Sequence, residues 1–464
     1  MKQAKIGLLP LYIELYDTFL PKFRSKMDEF NRLIAGELTR RGIEVVMTDI
    51  CRVKTEFETA IRTFETAGVD ALVTLHLAYS PSLESSAALA ATRLPIIVLD
   101  TTPTYEFGPS QSPDAIMFNH GIHGVQDMCN LLIRNGKHFF IEAGHWEKSN
   151  VLDRVAVRAK AALMARTMRT ARVGRIGESF VGMGDFAIAP QHLKAAIGME
   201  VVTAVPADIR SIAGAITGDA IKNEIAADRT LYDVGNTSDE SLQRTARTSL
   251  AVRSWIAREK LTAFTFNFLA VNRTIGLPTV PFLEASKAMG RGIGFAGEGD
   301  VLTAALVGAL AAAIPESTFT EMFCPDWAGD RIFLSHMGEM NINLIAGKPR
   351  LMERSYVFSD VEGQPVSAVG CFRGGPAAFV NLAPLADDHF RLIIAPCRVA
   401  DPATGDKFTD TIHGWITPDL PVPEFLEEYS LAGGTHHAAL VYGDVTELLT
   451  NFAELMGWDS VIIW

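Results

Sequence analysis

The sequence predicts an α/β protein: two α/β domains with mainly parallel sheets, over residues 1–171 and 172–315, followed by a C-terminal antiparallel β-barrel-like domain over 316–464. Three observations carry this. A chain of 464 residues divides into about three domains at roughly 150 residues each. The first third alternates short apolar runs with amphipathic helical stretches, and the texture changes after Pro315 to strands and turns with few helices.

Residues 5–9, 44–48, 71–75, 95–99 and 138–142 are apolar runs of strand length. Between the first two, Phe23, Met27, Phe30, Ile34 and Leu38 recur at spacings of 4, 3, 4 and 4, which places them on one helix face. Gly42 then closes that helix. Repeated βαβ units imply a parallel sheet covered on both faces, with ligands bound outside the carboxyl ends of its strands. That directs attention to residues 10–16, 77–82, 101–107 and 144–150. An Ala- and Arg-rich helix over 154–170 and a strand at 173–176 mark the first boundary. The second domain continues with a helix at 192–197, a strand at 200–204, helices at 241–259 and 283–289 flanking a strand at 263–268, and an apolar helix at 301–314. Beyond Pro315, residues 317–323 alternate like a strand, and 331–335, 350–358, 367–372, 378–382, 391–396 and 438–442 follow as strands separated by turn residues. A helix at 446–456 and a strand at 460–463 end the chain.

Apolar residues make up 48% and charged residues 21%, and the net charge is −12. An acidic surface without a basic patch disfavours nucleic-acid and anionic-membrane partners. Five cysteines, an odd number with no CxxC, argue for a reducing compartment and against a disulfide scaffold or zinc ribbon. The first apolar stretch is too short for a signal peptide, and the longest, 14 residues at 301–314, falls below the roughly 17–25 needed to span a bilayer. The expectation is a cytoplasmic protein.

Gly292-Ile293-Gly294-Phe295-Ala296-Gly297 satisfies GxGxxG, but a helix precedes it where the dinucleotide motif needs a strand. It reads as a glycine-rich turn allowing close approach to another element. No Walker A motif occurs, so no nucleotide cofactor is expected. A second cluster overlaps its end. Asp300, in Gly297-Glu298-Gly299-Asp300, caps the helix that follows. Glu321 comes 23 residues after Glu298, His336 another 15 on, and His436-His437 about a hundred further. Glu321 lies inside the strand-like segment 317–323 and the others at strand ends or turns, where a buried acid or imidazole needs a partner. Two carboxylates with one or two imidazoles and no thiolate form an O/N donor set for manganese, magnesium or a related ion, against a reading as satisfied polar residues. His76, His120, His145 and His413 read as ordinary polar residues.

These stations resemble the L-arabinose isomerase family. The matching pieces are Gly294-Phe295-Ala296-Gly297-Glu298-Gly299-Asp300, Phe319-Thr320-Glu321, Ser335-His336-Met337 and Leu431-Ala432-Gly433-Gly434-Thr435-His436-His437, in the family's order. The resemblance implies that Glu298, Glu321, His336 and His437 hold a divalent metal, typically Mn2+ with Mg2+ or Co2+ as alternatives, and that Glu298 and Glu321 are the catalytic acid–base pair. It implies that His436, beside His437, either supports that ligand from behind or contacts substrate. It also implies a homotrimer or homohexamer in which His123 reaches a neighbouring subunit's site. Tyr12, Tyr79 and Phe180 stand at further substrate-contact positions. Tyr79 replaces a usual Phe, Phe180 a usual Met, and the Pro10–Tyr16 stretch replaces a polar segment, so the metal-binding third matches better than the loops that select the substrate. The function expected is metal-dependent aldose–ketose isomerisation of a sugar or sugar derivative through a cis-enediol. The alternative is a lyase, decarboxylase or epimerase of a sugar acid using the same enediolate site.

Overall fold

Five fully parallel strands build the N-terminal sheet: β1 (Lys5–Leu11), β2 (Glu44–Met47), β3 (Ala71–His76), β4 (Ile96–Asp100) and β5 (Phe140–Ala143), in the order β2-β1-β3-β4-β5. β1 and β3 are almost wholly buried, as strands covered on both faces must be. The helix Phe23–Arg40 buries Phe23, Met27, Phe30, Ile34 and Leu38, the five residues whose spacing defines its apolar stripe. The computed structural model describes residues 2–464; Met1, the first residue of the expected 1–171 domain, lies outside the described residues. The chain separates into two units, Lys2–Arg166 and Thr167–Trp464.

The second unit contains two sheets. A parallel one consists of β6 (Arg172–Ile176), β7 (Glu200–Thr203), β8 (Ala263–Phe266) and β9 (Gly294–Ala296), ordered β7-β6-β8-β9. The other has nine strands: β10 (Ser317–Asp326), β11 (Arg331–Ser335), β12 (Arg350–Glu353), β13 (Val366–Cys371), β14 (Gly375–Pro384), β15 (Phe390–Val399), β16 (Ile412–Pro418), β17 (His437–Tyr442) and β18 (Asp459–Ile462). Their order is β12-β13-β16-β11-β10-β17-β14-β15-β18, and an extra β15–β16 pairing bends the sheet into a partial barrel-like ring. Most pairings are antiparallel; β13–β16 and β15–β18 are parallel.

The helix Val301–Ala313 joins the two sheets. It packs against β8 and β9 on one side and β10, β14 and β17 on the other, and all its residues but the last are buried. Its apolar character all round is that of a central core helix. No helix among the described residues is long and apolar enough to cross a membrane. Neighbouring helices are tied by buried charges: Lys287 pairs with Glu224 at 2.9 Å and with Asp228, and Arg253 bridges Glu224 and Glu284 at 2.7 and 2.8 Å.

Several elements differ from the sequence reading. The glycine motif contains a strand, β9, where a turn was expected, while the close approach is real. A Cβ on Gly294 would collide with the Ala304 carbonyl oxygen and the Gly308 backbone of the central helix. The strand expected over 350–358 ends at Glu353. The chain then turns away, and the Tyr356 hydroxyl donates to the Phe268 carbonyl oxygen at 2.8 Å. β16 and the helices Pro206–Ala215, Gly218–Leu231 and Val422–Leu431 appear in segments left unassigned from sequence.

Candidate active site

Sheet register brings the first two groups together. On β10, Glu321 lies directly opposite His437 of β17 and opposite Ser335 of β11, so His336 emerges beside it. A β-bulge between Met322 and Cys324 follows Glu321. The third component arrives from the parallel sheet. The turn after β9 carries Glu298 at the carboxyl edge of that sheet, where α/β folds place their ligands. Glu298 adopts φ +51°, a left-handed conformation uncommon for a residue with a side chain. The turn is held by Thr265, whose hydroxyl donates to the Gly297 carbonyl oxygen at 3.2 Å and accepts from the Gly299 N–H at 3.1 Å. A Cβ on Gly297 would lie 2.7 Å from His336 Cε1, so only glycine lets the turn pass the imidazole.

Glu298, Glu321, His336 and His437 each direct one ligand atom into a common space, all within 4.8 Å of one another. His437 Nε2 is 2.7 Å from Glu298 Oε2 and 2.9 Å from Glu321 Oε1, and His336 Nε2 is 3.5 Å from both carboxylates. The outer ring nitrogens are anchored: His437 Nδ1–H donates to Asp300 Oδ2 at 2.9 Å and His336 Nδ1–H to Glu339 Oε2 at 2.6 Å. Carboxylates behind ligand imidazoles fix the ring orientation and turn the inner nitrogen toward a metal. Asp300 does two things at once, since its other oxygen accepts the Thr303 N–H at 2.9 Å and caps the central helix. Phe186 stacks on the His437 ring at 4.8 Å, and Phe319 meets both imidazoles edge-on.

Burial alone would keep both imidazoles neutral, but the facing carboxylates raise their proton affinity well above the ordinary value. Glu339, Glu298 and Glu321 act on His336, and Asp300, Glu298 and Glu321 on His437. Burial pushes the two glutamates up, and His336 and His437 outweigh it, holding Glu298 well below the usual carboxylate range and Glu321 at about 2. Four carboxyl groups thus face two imidazoles. With the carboxylates ionised and both rings protonated the cluster still lacks two positive charges, and this O/N donor set suits a hard or borderline divalent ion.

The profile of the L-arabinose isomerase central domain matches residues 187–314, and that of the L-arabinose isomerase C-terminal domain matches residues 316–459. The chain is a divergent member of the L-arabinose isomerase family. Among its relatives, the L-arabinose isomerase of Nocardioides sp. is 27% identical over 404 residues, covering 83% of this chain and 78% of that one. Those of Geobacillus kaustophilus and Geobacillus thermodenitrificans are 27% and 26% identical, each covering 94% of this chain and 90% of theirs.

The other family-implied positions fall in two places. In the second unit, His436 is exposed, its backbone N–H and ring Nδ1 both bound to Asp185 Oδ2 at 3.0 and 2.7 Å, with Nε2 3.9 Å from Glu321. Phe180 donates its N–H to the Glu298 carbonyl oxygen at 2.9 Å, beside the strained turn. In the N-terminal unit, Tyr12 is fully buried against Tyr16 and Phe23, Tyr79 donates to Asp127 at 3.3 Å, and His123 is exposed at the start of the helix Ile122–Arg134. Sequence reading missed Glu339, Asp185 and Phe186, and saw only the capping half of Asp300. Glu339 carried a signal, an acid three residues after a candidate ligand histidine. Asp185 carried none, lying 251 residues from His436.

Proposed function

We propose that this protein is a divalent-metal-dependent aldose–ketose isomerase acting on a sugar or sugar derivative through a cis-enediol. The observation that carries the reading is the convergence of Glu298, Glu321, His336 and His437 on one buried space, each imidazole backed by a further carboxylate. Those four residues would hold the ion, manganese being the first choice and magnesium or cobalt the alternatives. When bound, the ion supplies a charge sink for the enediolate. The work of the chain is proton transfer and positioning. Isomerisation shifts a proton between C2 and C1, which needs one group to remove it and another to exchange protons with the substrate oxygens. Glu298 and Glu321, facing the same space on different elements, are the pair placed to do this. Asp300 and Glu339 keep the imidazoles aimed, and Phe186 and Phe319 exclude water from their faces. His436, at the exposed rim, and Phe180, beside Glu298, would serve as substrate contacts. The family assembly, a homotrimer or homohexamer, gives His123 its role at a neighbouring subunit's site, with Tyr12 and Tyr79 as further contacts.

The test is a panel of aldoses, ketoses and sugar acids incubated with manganese in D₂O and followed by proton NMR. Isomerisation predicts label at C1 or C2 with no loss of carbon. Carbon loss or aldol cleavage would replace this reading with a lyase or decarboxylase, and label with inverted configuration and no carbonyl shift with an epimerase.

A further inference from the structure

A second group of metal-competent side chains lies on the ring of strands and shares no residue with the proposed catalytic cluster, although His413 pairs in register with Ser335, the neighbour of His336. Cys371 ends β13, and the parallel register of β13 with β16 sets it directly beside His413. Asp406 approaches from the turn before β16. Their ligand atoms, one sulfur, one nitrogen and one oxygen, all lie within 4.8 Å of one another.

The hydrogen bonds around this trio define its chemistry. His413 Nδ1 is 3.0 Å from the Thr411 carbonyl oxygen, which only accepts, so the ring proton of a neutral imidazole sits on Nδ1. Nε2 then presents a lone pair to Asp406 Oδ2 at 2.6 Å. Two lone pairs facing at that distance need a proton between them, and a metal ion would take that proton's place with the two atoms moved apart to ligand spacing. The other Asp406 oxygen is occupied, accepting the Phe408 N–H at 2.9 Å, which aims Oδ2 at the ring. Carbonyl behind imidazole and amide behind carboxylate is how proteins orient metal ligands. Phe333, Phe408 and Trp415 surround the buried His413 ring, with centroids 5.4 to 5.9 Å away. A protonated imidazole paired with Asp406 would account for two of the three groups but gives the neighbouring thiol no part.

We propose that Cys371, His413 and Asp406 form a second metal site for a zinc-class ion, clamping the turn around Asp406 onto the β13–β16 pair. The sulfur separates it chemically from the glutamate–histidine cluster, since thiolate with imidazole and carboxylate selects zinc or cobalt over manganese. Three protein ligands leave a fourth position for water.

Cobalt(II) tests this, because a sulfur-to-cobalt charge-transfer band requires a cysteine ligand and the catalytic cluster has none. The full-length protein, kept reduced with a phosphine and saturated with manganese, is titrated with cobalt. The band is expected to saturate at one cobalt per chain, to persist in Glu298→Gln and to vanish in Cys371→Ser. Zinc is expected to abolish it by displacement. Asp406→Asn, on an exposed turn, provides a variant that keeps its fold if Cys371→Ser does not; losing a ligand should weaken the band's cobalt affinity at least as much as losing an outer-shell partner, about 10–100-fold. A folded wild-type protein that binds cobalt without the band, a band that survives in Cys371→Ser, or an unchanged affinity in Asp406→Asn would each overturn the proposal.

Discussion

At the residue scale, the two glutamates and the acids behind the histidines should behave differently when changed. Under the proposed function, Glu298→Gln and Glu321→Gln would remove both a metal ligand and a proton-transfer group, so turnover should fall by about 10²–10⁴ or more. Asp300→Asn and Glu339→Gln leave all four ligands in place. Their expected signature is a metal affinity about 10–100-fold weaker, with turnover recovered at saturating manganese; turnover that stays low at saturation would assign them a direct part in the chemistry. A further residue reports on the N-terminal unit. Burial pushes the His76 imidazole down to about 3, and Asp127 only partly opposes this. Neither ring nitrogen has a hydrogen-bond partner among the described residues. Below its ordinary value of 6.5 the unfolded chain binds a proton that the folded chain refuses. The stability present above pH 6.5 is therefore lost as pH falls toward 3. His76→Asn should flatten the decline in melting temperature between pH 6.5 and about 4; equal slopes for variant and wild type would contradict the assignment.

At the element scale, the site depends on how closely β9 and its turn can approach the central helix and His336. Gly294→Ala places a methyl group against helix backbone, which cannot swing aside. A loss of about 1–3 kcal/mol is expected, read as a lower denaturation midpoint. The helix Phe282–Gly290 that precedes β9 is fixed by Lys287, whose removal in Lys287→Met leaves Asp228 and Glu224 without that cation in a buried setting. About 3–5 kcal/mol is the expected cost, measured by denaturant unfolding. These elements also show what a sequence can reveal. β1, β3 and β4 were legible because strands buried on both faces are continuous apolar runs, and the helix Phe23–Arg40 because Phe23, Met27, Phe30, Ile34 and Leu38 recur along one face. β9 was hidden by its three-residue length inside a glycine motif. β16 was hidden because Ile412-His413-Gly414-Trp415 mixes polar, small and aromatic residues, which only the ring of neighbouring strands explains. The helix Gly218–Leu231 buries only Ile221 and Asp228, too little to make a stripe.

At the scale of the whole molecule, the proposed metal-binding groups come from two strands, the residue just past a third and one turn, all far apart in sequence. Glu298, Glu321, His336 and His437 could be singled out because each is an acid or imidazole in a turn, inside a strand-like segment or at a strand end, and the family resemblance joined them. The spacing alone did not say that β10 would align Glu321 with His437, nor that Glu339 and Asp300 would stand behind the imidazoles. Those facts follow from register and from the capping turn of the central helix. In the proposed function this cluster, once it binds a divalent ion, is the catalytic centre of a sugar isomerase. The most direct measurement is the rate of aldose–ketose interconversion after exhaustive chelation and stepwise return of manganese, in the wild type and in Glu298→Gln. The chelated wild type is expected to be inactive and to recover in proportion to manganese bound up to one ion per chain, and Glu298→Gln is expected not to recover. Full activity in the chelated protein, or in Glu298→Gln, would contradict it.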